Sequence, residues 1–240
     1  MTKSSLKDAV EASTETETET GIVRSSDDLV TIAPMGAGIH GEIDQDDIKF
    51  PLLQIVSGMG KLSEVDDFKK GDLVLDGEYK LEQPCEITVL KLAKLFEENL
   101  EWGADEIPRT VSSKEEVYQL GGTLGWQSEG GQRIAPTWKP MADCLICIKG
   151  TDDNYFPFDY SKNEKFAFAR WKLRNTSYFA AATDIISAAG TYYRQGLSTG
   201  TFQLTTEKRA FKTGNTTFVP AVKKGDKNSP KFIEWLAEFV

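Results

Sequence analysis

KFAFARWKLRN, Lys165 to Asn175, sets three aromatic rings and four cations into eleven residues without an acid. Read as a strand, it sends Phe166, Phe168, Arg170, Lys172 and Arg174 to one face. Lys165, Ala167, Ala169, Trp171 and Leu173 go to the other. The second face has the character of a core with Trp171 at its centre, and the first that of a solvent face carrying rings and charge. Read as a helix, the same residues put Phe166, Arg170 and Leu173 together and form no ring platform. The strand reading decides the class of the fold, because its neighbours read the same way.

Working outward, YFPFDYS precedes it and ADCLICIKG (142–150) precedes that, both strand-like by composition. CEITVLKLAKLFEEN (85–99) alternates, with Ile87, Val89, Lys91, Ala93 and Leu95 on one face, and reads as a long strand. PLLQIV (51–56) is a short strand after a proline. GDLVLDGEYKL (71–81) is a hairpin about Asp76-Gly77, and residues 199–222 are a second hairpin turning at Gly214. SSKEEVYQL opens as a helix capped by Ser112 or Ser113. TSYFAAATDIISAAG (176–190) is an Ala-rich helix, capped by Thr176 or Ser177 and stopped by Gly190. SPKFIEWLAEFV is a closing amphipathic helix with Ser229 as cap and Pro230 in its first turn. The expected fold is mainly β with added helices: an OB-like small barrel or curved sheet, one central Ala-rich helix and a C-terminal amphipathic helix. Residues 1–30 read as a disordered acidic tail around TETETET, 31–47 as a linker, 48–225 as the domain and 228–240 as the C-terminal helix.

The formal charge of -9 is unevenly spread. Residues 31–159 carry 12 Lys/Arg against 24 Asp/Glu, whereas residues 160–231 carry 13 against 4. A basic block inside an acidic chain speaks of partners, since net charge governs association more than fold.

Most motifs of chemistry fail on context. GAGIHG (36–41) fits GxGxxG, but EIDQDDIKFP follows it with no helical apolar period, so it reads as linker. No phosphate-binding GxxxxGK[ST] occurs. Cys144 and Cys147 fall on opposite faces of a strand, and the only other soft ligands are Cys85 and His40, so the cysteines read as reduced core residues. One histidine cannot fill the acid–base roles of a triad, and EIDQDD lacks the glycine and distal glutamate of a calcium loop. The chain is therefore read as non-enzymatic, with no cofactor and no metal. Its start, MTKSSLKDAVEAS, does not read as a secretory signal, no apolar run reaches membrane length, and cytoplasm is the expected compartment.

What remains is the block itself. Cations that track phosphates, interleaved with rings that stack unpaired bases, are the means by which proteins hold single-stranded nucleic acid. The candidate contacts are Lys165, Phe166, Phe168, Arg170, Lys172, Arg174, Tyr192, Tyr193, Arg194, Lys208, Arg209, Phe211 and Lys212. A domain of this size also needs aromatic volume, and Phe156, Phe158, Tyr178 and Phe179 are the first candidates for core.

In element order the chain resembles bacteriophage-type single-stranded DNA-binding proteins of the OB-fold kind. The resemblance runs over IKFPLLQIVSGMGKLSEV (48–65), KKGDLVL (69–75), FPFDYSKNEKFAFARWKLRN (156–175), the Ala-rich helix and TFQLTTEKRAFKTGNTTFVPAV (201–222). It implies sequence-tolerant binding of unwound single-stranded DNA in replication, recombination or repair, without a cofactor, in the cytoplasm of a phage host. It also implies docking of replication or recombination proteins through a terminus, here the C-terminal helix, and allows a homodimer. The chain departs from that pattern in carrying its acidic low-complexity tail at the N-terminus. The competing expectation is a structural or protein-interaction protein whose basic block pairs with acidic protein surfaces.

Overall fold

The computed structural model describes residues 49–239 apart from 59, 102, 212 and 213. The expectations for the tail, the linker, GAGIHG, His40 and EIDQDD lie outside the described residues. The strands are β1 (Leu53–Ile55), β2 (Leu73–Leu75), β3 (Tyr79–Leu81), β4 (Cys85–Glu98), β5 (Thr110–Val111), β6 (Gln127–Glu129), β7 (Gln132–Ile134), β8 (Trp138–Gly150), β9 (Phe158–Ser161), β10 (Glu164–Arg174), β11 (Gly200–Ala210) and β12 (Thr216–Lys227). Helix α1 (Lys114–Gln119) lies between β5 and β6. After β10, α2 (Asn175–Ser177) runs through a π-helical turn (Tyr178–Ala182) into α3 (Thr183–Thr191), and α4 (Pro230–Leu236) closes the chain.

Among the described residues the architecture is mainly β, with several sheets and a few helices and no closed barrel. The largest sheet has the order β12-β11-β4-β8-β10-β9, antiparallel at every pairing, with β5 added to β4. The central strand β8 buries Cys144, Leu145, Ile146, Cys147 and Ile148 in succession, as a strand covered on both faces must. One face carries the main core: Ala142, Cys144, Ile146 and Ile148 meet Ala167, Ala169, Trp171 and Leu173 of β10, Ile87 and Val89 of β4, and Phe202 and Leu204 of β11. Over it lie the small sheet β1-β2-β3, through Leu53, Leu73, Leu75 and Leu81, and the Ala-rich helix, through Tyr178, Ala181, Ala182 and Ile185. The other face gathers Cys147, Phe166 and Phe168 under Phe232, Leu236 and Phe239 of the C-terminal segment. No helix among the described residues is long and apolar enough to cross a membrane.

Local signals placed most turns and caps. Asp76 and Gly77 both take the left-handed conformation (φ 53° and 77°) that a two-residue hairpin turn requires. Ser113 caps α1 by accepting from the Glu116 amide, and Ser229 caps α4 by accepting from the Phe232 amide. Three expectations need correction. In β4 the alternation slips at a bulge between Val89 and Lys91, so that Leu92, opposite Cys144, joins Ile87 and Val89 on the core side instead of Lys91. The Ala-rich helix has no side-chain cap at Thr176 or Ser177. It starts directly from β10, with Asn175 at φ 49°, and runs past Gly190 to Thr191. Phe179 is 61% exposed, because its neighbour Tyr178, about 100° round the helix, takes the core side.

Candidate nucleic-acid interface

The register of β10 is the one expected. Trp171 and Leu173 are buried in the main core, and Phe166, Phe168, Arg170, Lys172 and Arg174 share the opposite face. That face is divided. Its aromatic half is covered: Phe166 is 6% and Phe168 5% exposed, with Phe232 4.9 Å from the first ring and Phe239 4.7 Å from the second, centroid to centroid. Burying Phe232, Leu236 and Phe239 there stabilises the closed arrangement by about 1.5–3 kcal/mol per side chain. The two phenylalanines are core, and no open stacking platform exists on β10.

The charged half is exposed, but its cations are largely engaged. Arg170 donates through Nε to both oxygens of Asp143, each at 2.9 Å, and this hydrogen-bonded carboxylate holds the guanidinium pKa above its ordinary value. Arg174 pairs with Glu97 at 2.6 Å. Lys165, on the other face of the strand, is half-buried between Asp159 (2.9 Å) and Asp153 (3.0 Å), whose hydrogen bonds raise its pKa. Lys172 is exposed and has no ion pair among the described residues. The antiparallel order β4-β8-β10 sets the acids of the first two strands beside the cations of the third, so much of the positive charge read from β10 is neutralised within the sheet.

The Tyr192–Arg194 cluster also separates. Tyr193 is buried. Its hydroxyl donates to the carbonyls of Thr201 (3.0 Å) and Gly225 (3.2 Å), and its ring lies against Gly200, where a β-carbon would stand 1.9 Å from it. Tyr193 therefore joins β11 to β12 and offers no face to a ligand. Arg194 is exposed and donates to the carbonyl of Gly190. Tyr192 is 62% exposed, and the Lys224 ammonium sits 3.7 Å from its ring centroid.

Beyond Tyr192 the cations stand open. Strand β11 pairs with β4 only over Phe202–Leu204, and from there outward it pairs with β12 alone, making a long hairpin arm. The arm is braced at mid-length. Thr206 donates its amide to Gln83 Oε1 (2.9 Å) and its hydroxyl to the Gly71 carbonyl, and the Phe218 ring packs where Gly71 has no side chain. In the outer part Glu207–Ala210 of β11 are exposed, whereas on β12 Thr217 and Phe218 are half-buried and Val219 is buried. Lys208 stands opposite Phe218, Arg209 opposite Thr217, and Phe211 is 41% exposed at the turn, where the Gly214 amide donates to the Phe211 carbonyl. Lys212 lies outside the described residues. Lys223, Lys224 and Lys227 are exposed on the returning edge strand. Among the described residues, Lys208, Arg209, Lys223 and Lys227 make no ion pair. Lysines on an edge strand also discourage pairing with other chains, but they leave a row of positive charge that the paired cations of β10 do not.

Of the expected residues, the arrangement brings together Lys208, Arg209 and Phe211 at the outer end of the hairpin and sets Tyr192 at its base, against Lys224. It sets Phe166, Phe168 and Tyr193 in the interior, and Lys165, Arg170 and Arg174 in ion pairs. Lys223, Lys224 and Lys227, at the base of the hairpin opposite Gln203, Phe202 and Gly200, were missed, because the expected hairpin stopped at residue 222. No protein family, no curated protein and no solved structure matches the chain.

Proposed function

We propose that the protein binds single-stranded DNA with little regard to sequence, through the β11–β12 arm, in phage DNA replication, recombination or repair. The observation that carries the reading is the contrast between two sets of cations. Of the β10 cations, Lys165, Arg170 and Arg174 are paired with Asp153 and Asp159, Asp143 and Glu97, which leaves Lys172, whereas Lys208, Arg209, Lys223 and Lys227 stand exposed and unpaired among the described residues, with the exposed ring of Phe211 at the tip of the hairpin and that of Tyr192 at its base. Free cations gain from counterion release on meeting phosphates, and exposed rings stack bases of any identity. An OB-like reading of the domain rests on the long late hairpin and on the order of elements in the sequence, not on closure, since the sheet stays open among the described residues. The test is an anisotropy titration with labelled oligo-dT across a salt series. The expected slope of log K against log salt is about -0.7 per engaged phosphate, so roughly -3 for four contacts. Absence of binding at low salt sinks the proposal.

A second reading, protein docking without nucleic acid, is favoured by Phe179 and Ile186. These are 61% and 38% exposed and lie seven residues apart on the outer face of the Ala-rich helix. Light scattering at low and high salt without DNA separates the two readings: self-association together with no affinity for oligo-dT selects the second.

A further inference from the structure

The chain between α1 and β7 builds a slot that the arm does not use. Tyr118 on α1 and Trp126 at the foot of β6 both line it, and each is nearly 60% exposed. Gly122, Thr123, Leu124, Gly125 and Gln127 complete its lining, and it is an open depression of about 390 Å³. No carboxylate lines it, in a chain with 37 acids. The Arg133 guanidinium lies 4.5 Å from the Trp126 ring centroid.

The lining is held in place at Gly122 and Thr123. Gly122 is pressed on Trp138, where a β-carbon would come within 2.3 Å of the indole. Thr123 and Thr137 exchange hydrogen bonds, the Thr123 amide donating to Thr137 Oγ1 (2.8 Å) and the Thr137 amide to Thr123 Oγ1 (3.1 Å). The Trp138 amide donates to the Thr123 carbonyl at 3.0 Å. A slot whose lining is fixed in advance loses little order on binding. Two exposed rings beside glycines admit a flat group. The Gln127 amide presents both a donor and an acceptor to a polar edge, and Arg133 adds a positive charge beside Trp126.

We infer that the Tyr118–Trp126 slot is a base-stacking site for single-stranded DNA, a reading that rests on the proposed function and extends it to a second contact. A cation stacked on an exposed indole, with no acid in the lining, suits a ligand that couples π-faces to phosphates. The slot lies over Trp138, which pairs with Glu98 at one end of β4, whereas the arm leaves β4 at Cys85, the other end. Fourteen residues of strand separate them, about 43 Å at roughly 3.3 Å per residue. Only a long strand reaches both.

The test uses the full chain and an oligo-dT of about 30 nucleotides, long against the usual site of a single OB domain. Trp126→Ala is expected to lower affinity about 5- to 100-fold with the salt slope unchanged, because a lost stack releases no counterion. Trp126→Phe restores most of the affinity, and Arg133→Ala lowers the slope by about 0.7. Circular dichroism confirms that these exposed substitutions keep the fold. Equal binding by wild type and Trp126→Ala overturns this inference and leaves the arm as the site. No binding of oligo-dT by the wild type overturns both. Quenching by a proline-rich peptide, and not by oligo-dT, of the part of the tryptophan emission that Trp126→Phe removes overturns the slot as a base site in favour of a peptide groove.

Discussion

Phe168 of β10 and Phe239 near the C-terminus lie with ring centroids 4.7 Å apart, and Phe158 meets both edge-on at 4.8 and 5.4 Å. The ring that strand alternation turns toward solvent is thus roofed by the end of the chain. It follows that Phe168 and Phe239 are stability residues. Phe239→Ala and Phe168→Ala are each expected to destabilise the fold by about 3–5 kcal/mol, the range for truncating a buried phenylalanine. The midpoint of urea unfolding reads this directly. Affinity for oligo-dT, scaled to the folded fraction, should not move; a specific loss of affinity in Phe168→Ala with unchanged stability would return the ring to the binding surface.

Arg170 and Asp143 give a second separation of stability from binding. The Asp143 side chain is only 11% exposed and meets a guanidinium that is 53% exposed. Arg170→Ala leaves a largely buried carboxylate without its donor, whereas Asp143→Asn removes the charge that needs it. Arg170→Ala is expected to cost about 1–3 kcal/mol, the usual penalty for an unsatisfied buried group. Adding Asp143→Asn to it should recover part of that loss. A double-mutant cycle in thermal unfolding measures the coupling, and a coupling near zero shows the pair to be ornamental.

The fold was legible where signals are local and illegible where partners are distant. Asp76-Gly77 and Ser229-Pro230 carry their geometry in adjacent residues, and the parity of β10 follows from alternation alone. Which face of β10 is roofed depends on a helix that begins at Pro230, and no period within KFAFARWKLRN encodes it. The pairing of Arg170 with a carboxylate 27 residues away depends on strand order, so a charge count overstated how much of the basic block is free. The bulge in β4 had no marker, since Val89-Leu90-Lys91 reads as continuous alternation. The candidate site moved for this reason from a strand whose cations find acids beside them to a hairpin whose outer half has no neighbouring strand.

Acid should weaken the fold over a definite window. Hydrogen bonds from Arg109 hold Glu98 below the ordinary glutamate value of 4.5. The hydroxyls of Ser112 and then Ser113 do so for Glu116, and the Lys149 ammonium does so for Glu164. A carboxylate depressed in the folded state binds fewer protons there than in the unfolded chain. Its contribution is complete above pH 4.5 and is lost as pH falls through the lowered folded value. The urea midpoint should therefore decline below about pH 4.5 from these groups, and Ser112→Ala, which removes the larger cause at Glu116, should make that decline shallower. An identical acid limb in the variant would assign the loss to other carboxylates.

The arm offers the sharpest division between the two readings of function. Lys208, Arg209, Lys223 and Lys227 are exposed and unpaired among the described residues, so their removal strands no buried partner and should leave stability within about 0.5 kcal/mol. If they meet phosphates, each lysine or arginine changed to alanine lowers the salt slope by about 0.7, and the fourfold variant approaches zero slope from these contacts. Tyr192→Ala acts differently. It removes a ring and frees Lys224, so it should lower affinity while keeping the slope. Salt-dependent titrations of the single and combined variants against oligo-dT distinguish these patterns. Cations that guard a sheet edge against pairing, and do nothing else, predict the opposite outcome: unchanged affinity in every variant, with aggregation of the fourfold variant at high concentration as the exposed edge strand loses its charge.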